Sequence, residues 1–192
     1  MSRRIKLLRM GAKPGVPRRS FVRFSRDEDG AVAIEFAALA IPFSMLVFAI
    51  LESCISFAGQ QILVNTTDAI ARQIRTGQLK AADVNATSLK AAICEDLEII
   101  VAAGCPGLVV DLRQYATFAD AAKQRIKLTS DGDIDTTGFD VKPGPSLSKN
   151  MLRVFYRWPV ITDFMRKSMS NIKGGYTLHF ATVTWQNEPF ND

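Results

Sequence analysis

Between Ala31 and Leu51 the chain runs for 21 residues with a single ionisable side chain, Glu35. As a helix rising about 1.5 Å per residue, that run reaches roughly the ~30 Å depth of a bilayer's hydrocarbon core. It can span a membrane, and the rest of the chain has to be arranged around that possibility. A carboxyl inside such a run is costly unless it is paired, solvated near one end or matched to a partner, so Glu35 is the first candidate functional residue.

Charge assigns the two sides. Residues 1–30 hold nine basic side chains (Arg3, Arg4, Lys6, Arg9, Lys13, Arg18, Arg19, Arg23, Arg26) against three acids, a net of +6, which leaves −1 of the chain's +5 for residues 31–192. A basic stretch raises nucleic-acid binding as a possibility. No recognition motif accompanies this one, and the positive-inside rule accounts for it: the N-terminus stays cytoplasmic and the C-terminal portion is exported. No nucleic-acid partner is expected. An ordinary secretory signal has an apolar region of about 7–15 residues and a small-residue cleavage site, whereas this run is longer and continues into Glu52-Ser53-Cys54. A lipoprotein signal would place small residues just before the cysteine, where Glu52 stands instead. A permanent single-pass anchor remains open on composition alone.

The local motif narrows this. Gly30-Ala31-Val32-Ala33-Ile34-Glu35-Phe36 is a glycine, four small or apolar residues, an acid and an aromatic. It resembles the processing site of type IV prepilins in the form used by Flp/Tad pilus systems, and the chain is similar to the TadE-like minor pseudopilins. The stretch Asn65–Gln78, a Cys94 and Cys105 pair, Tyr156-Arg157-Trp158-Pro159 and the terminal Trp185–Phe190 add to the likeness, which is specific at the leader and only pattern-like beyond it. The resemblance implies a leader, residues 1–30, cut between Gly30 and Ala31 by a prepilin peptidase at the cytoplasmic membrane face. Gly30 presents no side chain to obstruct such a protease, and cleavage removes the +6 that would hold the chain in place. It also implies a role for Glu35, the fifth residue from Ala31, in neutralising the new N-terminal amine of a neighbouring subunit, with Phe36 completing the motif. An acid in the first turns of a helix would also suit the dipole, and simple solvation by headgroups is the plainer alternative.

Ala33, Ala37 and Ala40 form a small-residue stripe that permits close helix approach in lipid, as alanines do in many membrane helices. Pro42 lacks an N–H and predicts a kink. Beyond Leu51 an amphipathic helix continues, with Ile55, Ala58, Ile62, Thr66, Ile70 and Ile74 on one face and a stop at Gly77. A second helix is predicted over Ser88–Ala103, ended by Gly104. Three alternating stretches, around Leu108–Arg113, Met151–Trp158 and Tyr176–Ala181, read as an antiparallel sheet with one covered face. The expected fold class is α+β and pilin-like: a long N-terminal helix over 31–77, half transmembrane and half amphipathic, packed on a small antiparallel sheet with one more helix in an exported domain, residues 78–192.

An exported domain suits a disulfide, and Cys94 with Cys105 would close a short loop across Gly104. Zinc competes for them but wants four ligands, and the chain has three cysteines and one histidine. Cys54 is left over near the membrane boundary. The lone His179 has no Ser or Cys motif around it, so no catalytic residue is assigned. Asp131-x-Asp133-x-Asp135 begins like a calcium loop, but Thr136 stands where an EF-hand needs glycine and Lys142 where it needs glutamate. No cofactor or metal is expected. The reading is a non-enzymatic assembly subunit of a Tad-type pilus in the bacterial inner membrane, with a place in the pilus itself open to it after processing. Its partners by resemblance are the prepilin peptidase, other minor pseudopilins, the major pilin and the inner-membrane assembly platform. An unprocessed, membrane-tethered binding domain is the alternative.

Overall fold

The computed structural model describes residues 30–191, so the charged leader up to Asp29 lies outside the described residues. The chain divides into a unit ending at Met45 and a second unit, Leu46–Asp192. Helix α1, Ala31–Arg75, begins in the first and continues into the second, and Pro42 lies inside it without ending it. In the first unit Val32, Ile34, Phe36, Leu39, Ile41 and Phe43 are all more than half exposed. The apolar window of α1, long enough to cross a membrane, has none of its residues buried in the protein. A soluble protein's core helix of that composition would be covered, so the bare surface makes this part of α1 a candidate membrane span.

The second unit is α+β. Strands β1 (Leu108–Tyr115), β2 (Val141–Lys142), β3 (Lys149–Pro159) and β4 (Tyr176–Gln186) form one sheet in the order β2-β1-β3-β4. The β1–β3 and β3–β4 pairs are antiparallel, as the alternation predicts. The two-residue β2 runs parallel to β1, Leu112 opposite Val141, which makes the sheet mixed rather than purely antiparallel. Helices α2 (Ala86–Leu97), α3 (Phe118–Ala122) and α4 (Asp163–Met169) complete the unit, two of them too short for helical periodicity to reveal.

One face of the sheet carries side chains aligned across the strands. Leu112, Leu152 and Val183 are in register, as are Val110, Val154 and Ala181. They join Leu63, Ile70 and Ile74 of α1 and Leu89, Ile93 and Leu97 of α2 in a single core. Each fully buried aliphatic there contributes roughly 1.5–3 kcal/mol of transfer free energy, which fixes the sheet along the outer part of α1.

Three expectations need correcting. The sheet has two covered faces along β3, not one: Met151, Arg153 and Phe155 on the far side are also buried. The connection between β1 and β3 folds over them, with Phe139 stacked on Phe155 at a centroid distance of 5.5 Å. Helix α2 ends at Leu97, six residues before Ala103. A helix continued to Ala103 would separate residues 94 and 103 by about 14 Å, whereas the Cα atoms of Cys94 and Cys105 lie 5.8 Å apart and their sulfurs are bonded. The chain turns back instead, and Glu98 accepts a hydrogen bond from the Gly104 N–H at 2.7 Å. The buried stripe of α1 is also rotated in the part just after Leu51, where Ile55 and Ala58 are exposed and Glu52, Ser56, Gly59 and Leu63 are covered.

Gly59 explains part of that rotation. The Trp158 ring lies so close that a Cβ on residue 59 would fall 2.4 Å from it, so the backbone itself serves as the packing surface. At the other end α1 stops where the sequence says it should. Gly77 takes φ +73°, its N–H bonds to the Ile74 carbonyl at 3.2 Å, and the Gln78 N–H bonds to the Gln73 carbonyl at 2.9 Å. These are the two bonds of a Schellman cap, which requires the left-handed conformation that glycine adopts most easily.

Candidate functional site

Gly30 sits at the start of α1, and a Cβ built on it would meet nothing within 4 Å. Among the described residues, packing therefore leaves room for a side chain at this position. Glu35 is exposed one turn further on, and Phe36 beside it is largely exposed. The first turn of α1 holds no acid, so Glu35 lies just beyond the reach of the helix dipole, contrary to the expectation from position alone. Among the described residues Glu35 forms no ion pair. The segment thus offers an acid on an apolar helix with no ion-pair partner among the described residues.

Farther along α1, polar groups face the sheet unit and each is satisfied. Glu52 is buried and accepts hydrogen bonds from the Ile161 N–H at 2.5 Å, the Thr162 N–H at 3.2 Å and the Thr162 hydroxyl. One turn on, Ser56 Oγ meets His179 Nε2 at 3.0 Å, and the imidazole stacks on Trp158 at 5.0 Å. Gln60 Nε2 donates to the Phe180 carbonyl at 2.8 Å. Sequence reading passed over Glu52, Ser56 and Gly59 because it looked for apolar residues. Their spacing of four and three is nonetheless helical, and it flows directly into Leu63 and Thr66.

Burial lowers the pKa of His179 from 6.5 to about 4 because the imidazolium loses water. The unfolded chain therefore binds a proton that the folded chain refuses between those values. Stability from this group is complete above about pH 6.5, falls as pH drops toward 4, and changes no further below that. After allowing for solvent screening, the expected loss at pH 4.5 relative to pH 7 is about 2 kcal/mol. Urea midpoints at the two pH values for the parent chain and for His179→Gln check it: the difference should shrink in the variant.

The remaining sequence candidates are dispersed. Asp133 takes a two-point contact from Arg157, Nε to Oδ1 at 3.0 Å and Nη2 to Oδ2 at 3.1 Å, and this hydrogen bonding holds its carboxyl below the usual range. Asp131 pairs with Lys173 at 2.8 Å, while Asp135 accepts from the Thr137 N–H at 2.9 Å. The three carboxylates are spent on three different partners, so the triplet serves to pin the loop rather than to converge on one point. Cys94 and Cys105 lie beside Glu98, but their sulfurs are consumed by the disulfide and have no lone thiolate to offer a metal. Cys54 is free and exposed. A half-open apolar groove of about 470 Å³ lies among Ile55, Val101, Pro106, Tyr156, Trp158 and Ile161, without the convergent polar groups that an active site uses.

Residues 30–72 match the TadE-like protein family. The TadE-like stretch begins on Gly30 itself and covers the bare apolar helix together with the Glu52, Ser56 and Gly59 face. It is the family that the sequence motif resembles, one of pilus-associated proteins with an N-terminal apolar helix, and the matched range takes in this chain's candidate membrane span. The sheet unit beyond residue 72 lies outside the matched range. No curated protein and no solved structure matches the chain.

Proposed function

We propose that this chain is a minor pseudopilin: a structural, non-catalytic subunit of a Tad-type pilus, cleaved after Gly30 and recruited into assembly through its apolar helix. The observation that carries the reading is a TadE-like stretch that starts at Gly30, whose Cβ position is open among the described residues. In this scheme residues 1–30 are a cytoplasmic leader removed by a prepilin peptidase. Residues 31–77 supply the membrane and assembly helix, and 78–192 form a domain on the periplasmic side of the inner membrane. A periplasmic setting also suits the Cys94–Cys105 bond, since disulfides persist in oxidising compartments. The partners in this reading are other minor pseudopilins, the major pilin and the inner-membrane platform, with Glu35 and Phe36 at the contact.

The mature chain is expected to begin at Ala31, and Gly30→Phe should leave the leader attached. Terminal peptide sequencing and intact mass of the protein recovered from membranes read both outcomes. An intact leader on the parent chain, in cells whose prepilin peptidase is active on another substrate, would overturn the pseudopilin reading in favour of a tethered domain that is never processed.

A further inference from the structure

The segment Ile161–Gly175 holds α4 and carries Asp163 against Arg166, Lys167 and Lys173, a net of +2 within a portion of the chain, residues 31–192, whose total is −1. Ile172 is buried against the fold, but two other apolar side chains of the segment are not tucked away: Ile161 is 70% and Phe164 46% exposed. We propose that this segment is a membrane-surface contact, in which Ile161 and Phe164 enter the lipid interface and the basic side chains meet anionic phospholipid headgroups. The proposal rests on the reading that residues 31–51 of α1 cross the membrane.

Glu52 fixes the height. It is the first residue after the apolar run, and within the second unit the run's last residues, Leu46, Phe48, Ile50 and Leu51, are about half exposed or more. Side chains on a helix lean toward its N-terminus, so the Glu52 carboxylate lies alongside the final turn of the run rather than above it. That carboxylate binds the Ile161 and Thr162 backbone and the Thr162 hydroxyl, which holds the start of the segment level with the run's last turn, while exposed Ile55 and Phe57 carry apolar surface a little further along α1. Tyr176, where β4 starts, is also exposed, and an aromatic with a polar tip suits the same depth.

The charges are available. Arg166 pairs with Asp163 at 3.0 Å and Lys173 with Asp131 at 2.8 Å, but both pairs are solvent-exposed, and such pairs hold their partners weakly. Lys167 is exposed on the same short helix. A bilayer bearing anionic lipid attracts basic side chains within a Debye length of its surface, and the apolar pair provides the insertion that charge alone lacks.

The test uses the full chain with Cys54→Ser, reconstituted in phosphatidylcholine vesicles with and without phosphatidylglycerol, and nitroxide labels placed at Phe164→Cys, Phe48→Cys or Leu147→Cys. Leu147 is exposed near the opposite end of the eleven-residue β3, roughly 35 Å away along the strand, and serves as the water-facing control. With anionic lipid the label at 164 should be several-fold less accessible to a water-soluble nickel complex than the label at 147, and more accessible to oxygen. That protection should fall in neutral vesicles and in Lys167→Glu/Lys173→Glu. A label at 164 as open to nickel as the one at 147, while the label at 48 sits in lipid, would overturn this inference and leave the span reading standing. Protection indifferent to lipid charge and to the charge reversal would overturn the headgroup contact, and protection that arises only when other pilus proteins are added would assign the surface to a protein instead. A label at 48 open to nickel would remove the span reading and this inference with it.

Discussion

Arg153→Met is expected to destabilise the Leu46–Asp192 unit by about 3–5 kcal/mol, because it leaves the Asp111 carboxylate buried without its main countercharge. Asp111 is 1% exposed and Arg153 4% exposed, on neighbouring strands and directly opposite in register. The guanidinium donates from Nε at 2.9 Å and Nη2 at 2.6 Å to the same carboxylate oxygen. Its flat face lies 5.1 Å from the Phe139 centroid and 5.9 Å from that of Phe155. The other carboxylate oxygen accepts from the Asp140 N–H at 3.1 Å, so the pair also ties the β1–β3 connection down onto the sheet. Arg113 reaches Asp111 as well, at 3.1 Å, and its partial compensation points to the lower half of the range. The pair itself is not expected to be a net source of stability, since desolvating two charges offsets most of their attraction. Asp111→Asn combined with Arg153→Met should therefore recover much of the loss. Urea unfolding of the detergent-solubilised chain, followed by the fluorescence of the buried Trp158 and Trp185, measures both variants. A single variant within 1 kcal/mol of the parent would show that water reaches Asp111 despite its burial.

That network also marks where sequence reading stops. Alternation identified β1, β3 and β4 from Leu108, Leu152 and Tyr176 onward, because a period of two is a property of each strand alone. It gave the wrong exposure for the far face, because Asp111, Arg153 and Arg157 read as solvent-facing polar residues. Each is matched by a group more than twenty residues away, Asp111 by Arg153 and Arg157 by Asp133, and no local window contains both halves of such a pair. The same limit applies on α1. Glu52 and Ser56 were passed over in a search for apolar periodicity, and their partners Ile161, Thr162 and His179 are more than a hundred residues further on. The end of α2 failed for a different reason. A helix to Ala103 and a bond from Cys94 to Cys105 cannot both exist at ~1.5 Å per residue, so the cysteine spacing already contained the correction. The leader motif, by contrast, was legible at once. Its residues, Gly30 to Phe36, are contiguous, so one local window holds all of it, and the match to the TadE-like family begins on its glycine.

Glu35→Gln is expected to leave leader cleavage and membrane insertion largely intact and to abolish most pilus assembly. Both halves follow from the environment of the side chain. On the folded chain Glu35 is exposed on an apolar helix without an ion-pair partner among the described residues, and a carboxylate at membrane depth is unfavourable until one is supplied. In the proposed assembly the partner is the amine that cleavage after Gly30 creates on a neighbouring subunit. Glutamine has nearly the same shape and is easier to insert, so a helix that is only an anchor should tolerate it or even insert more readily. An assembling helix would lose a charge-assisted contact in a low-dielectric setting, and the neighbour's amine would remain buried without a countercharge. Two measurements on one strain separate the cases: gel mobility for cleavage, and the yield of sheared surface pili when only the variant is present. Normal cleavage with a normal pilus yield would reduce Glu35 to an acid solvated by headgroups, and the assembly contact proposed for it would be wrong.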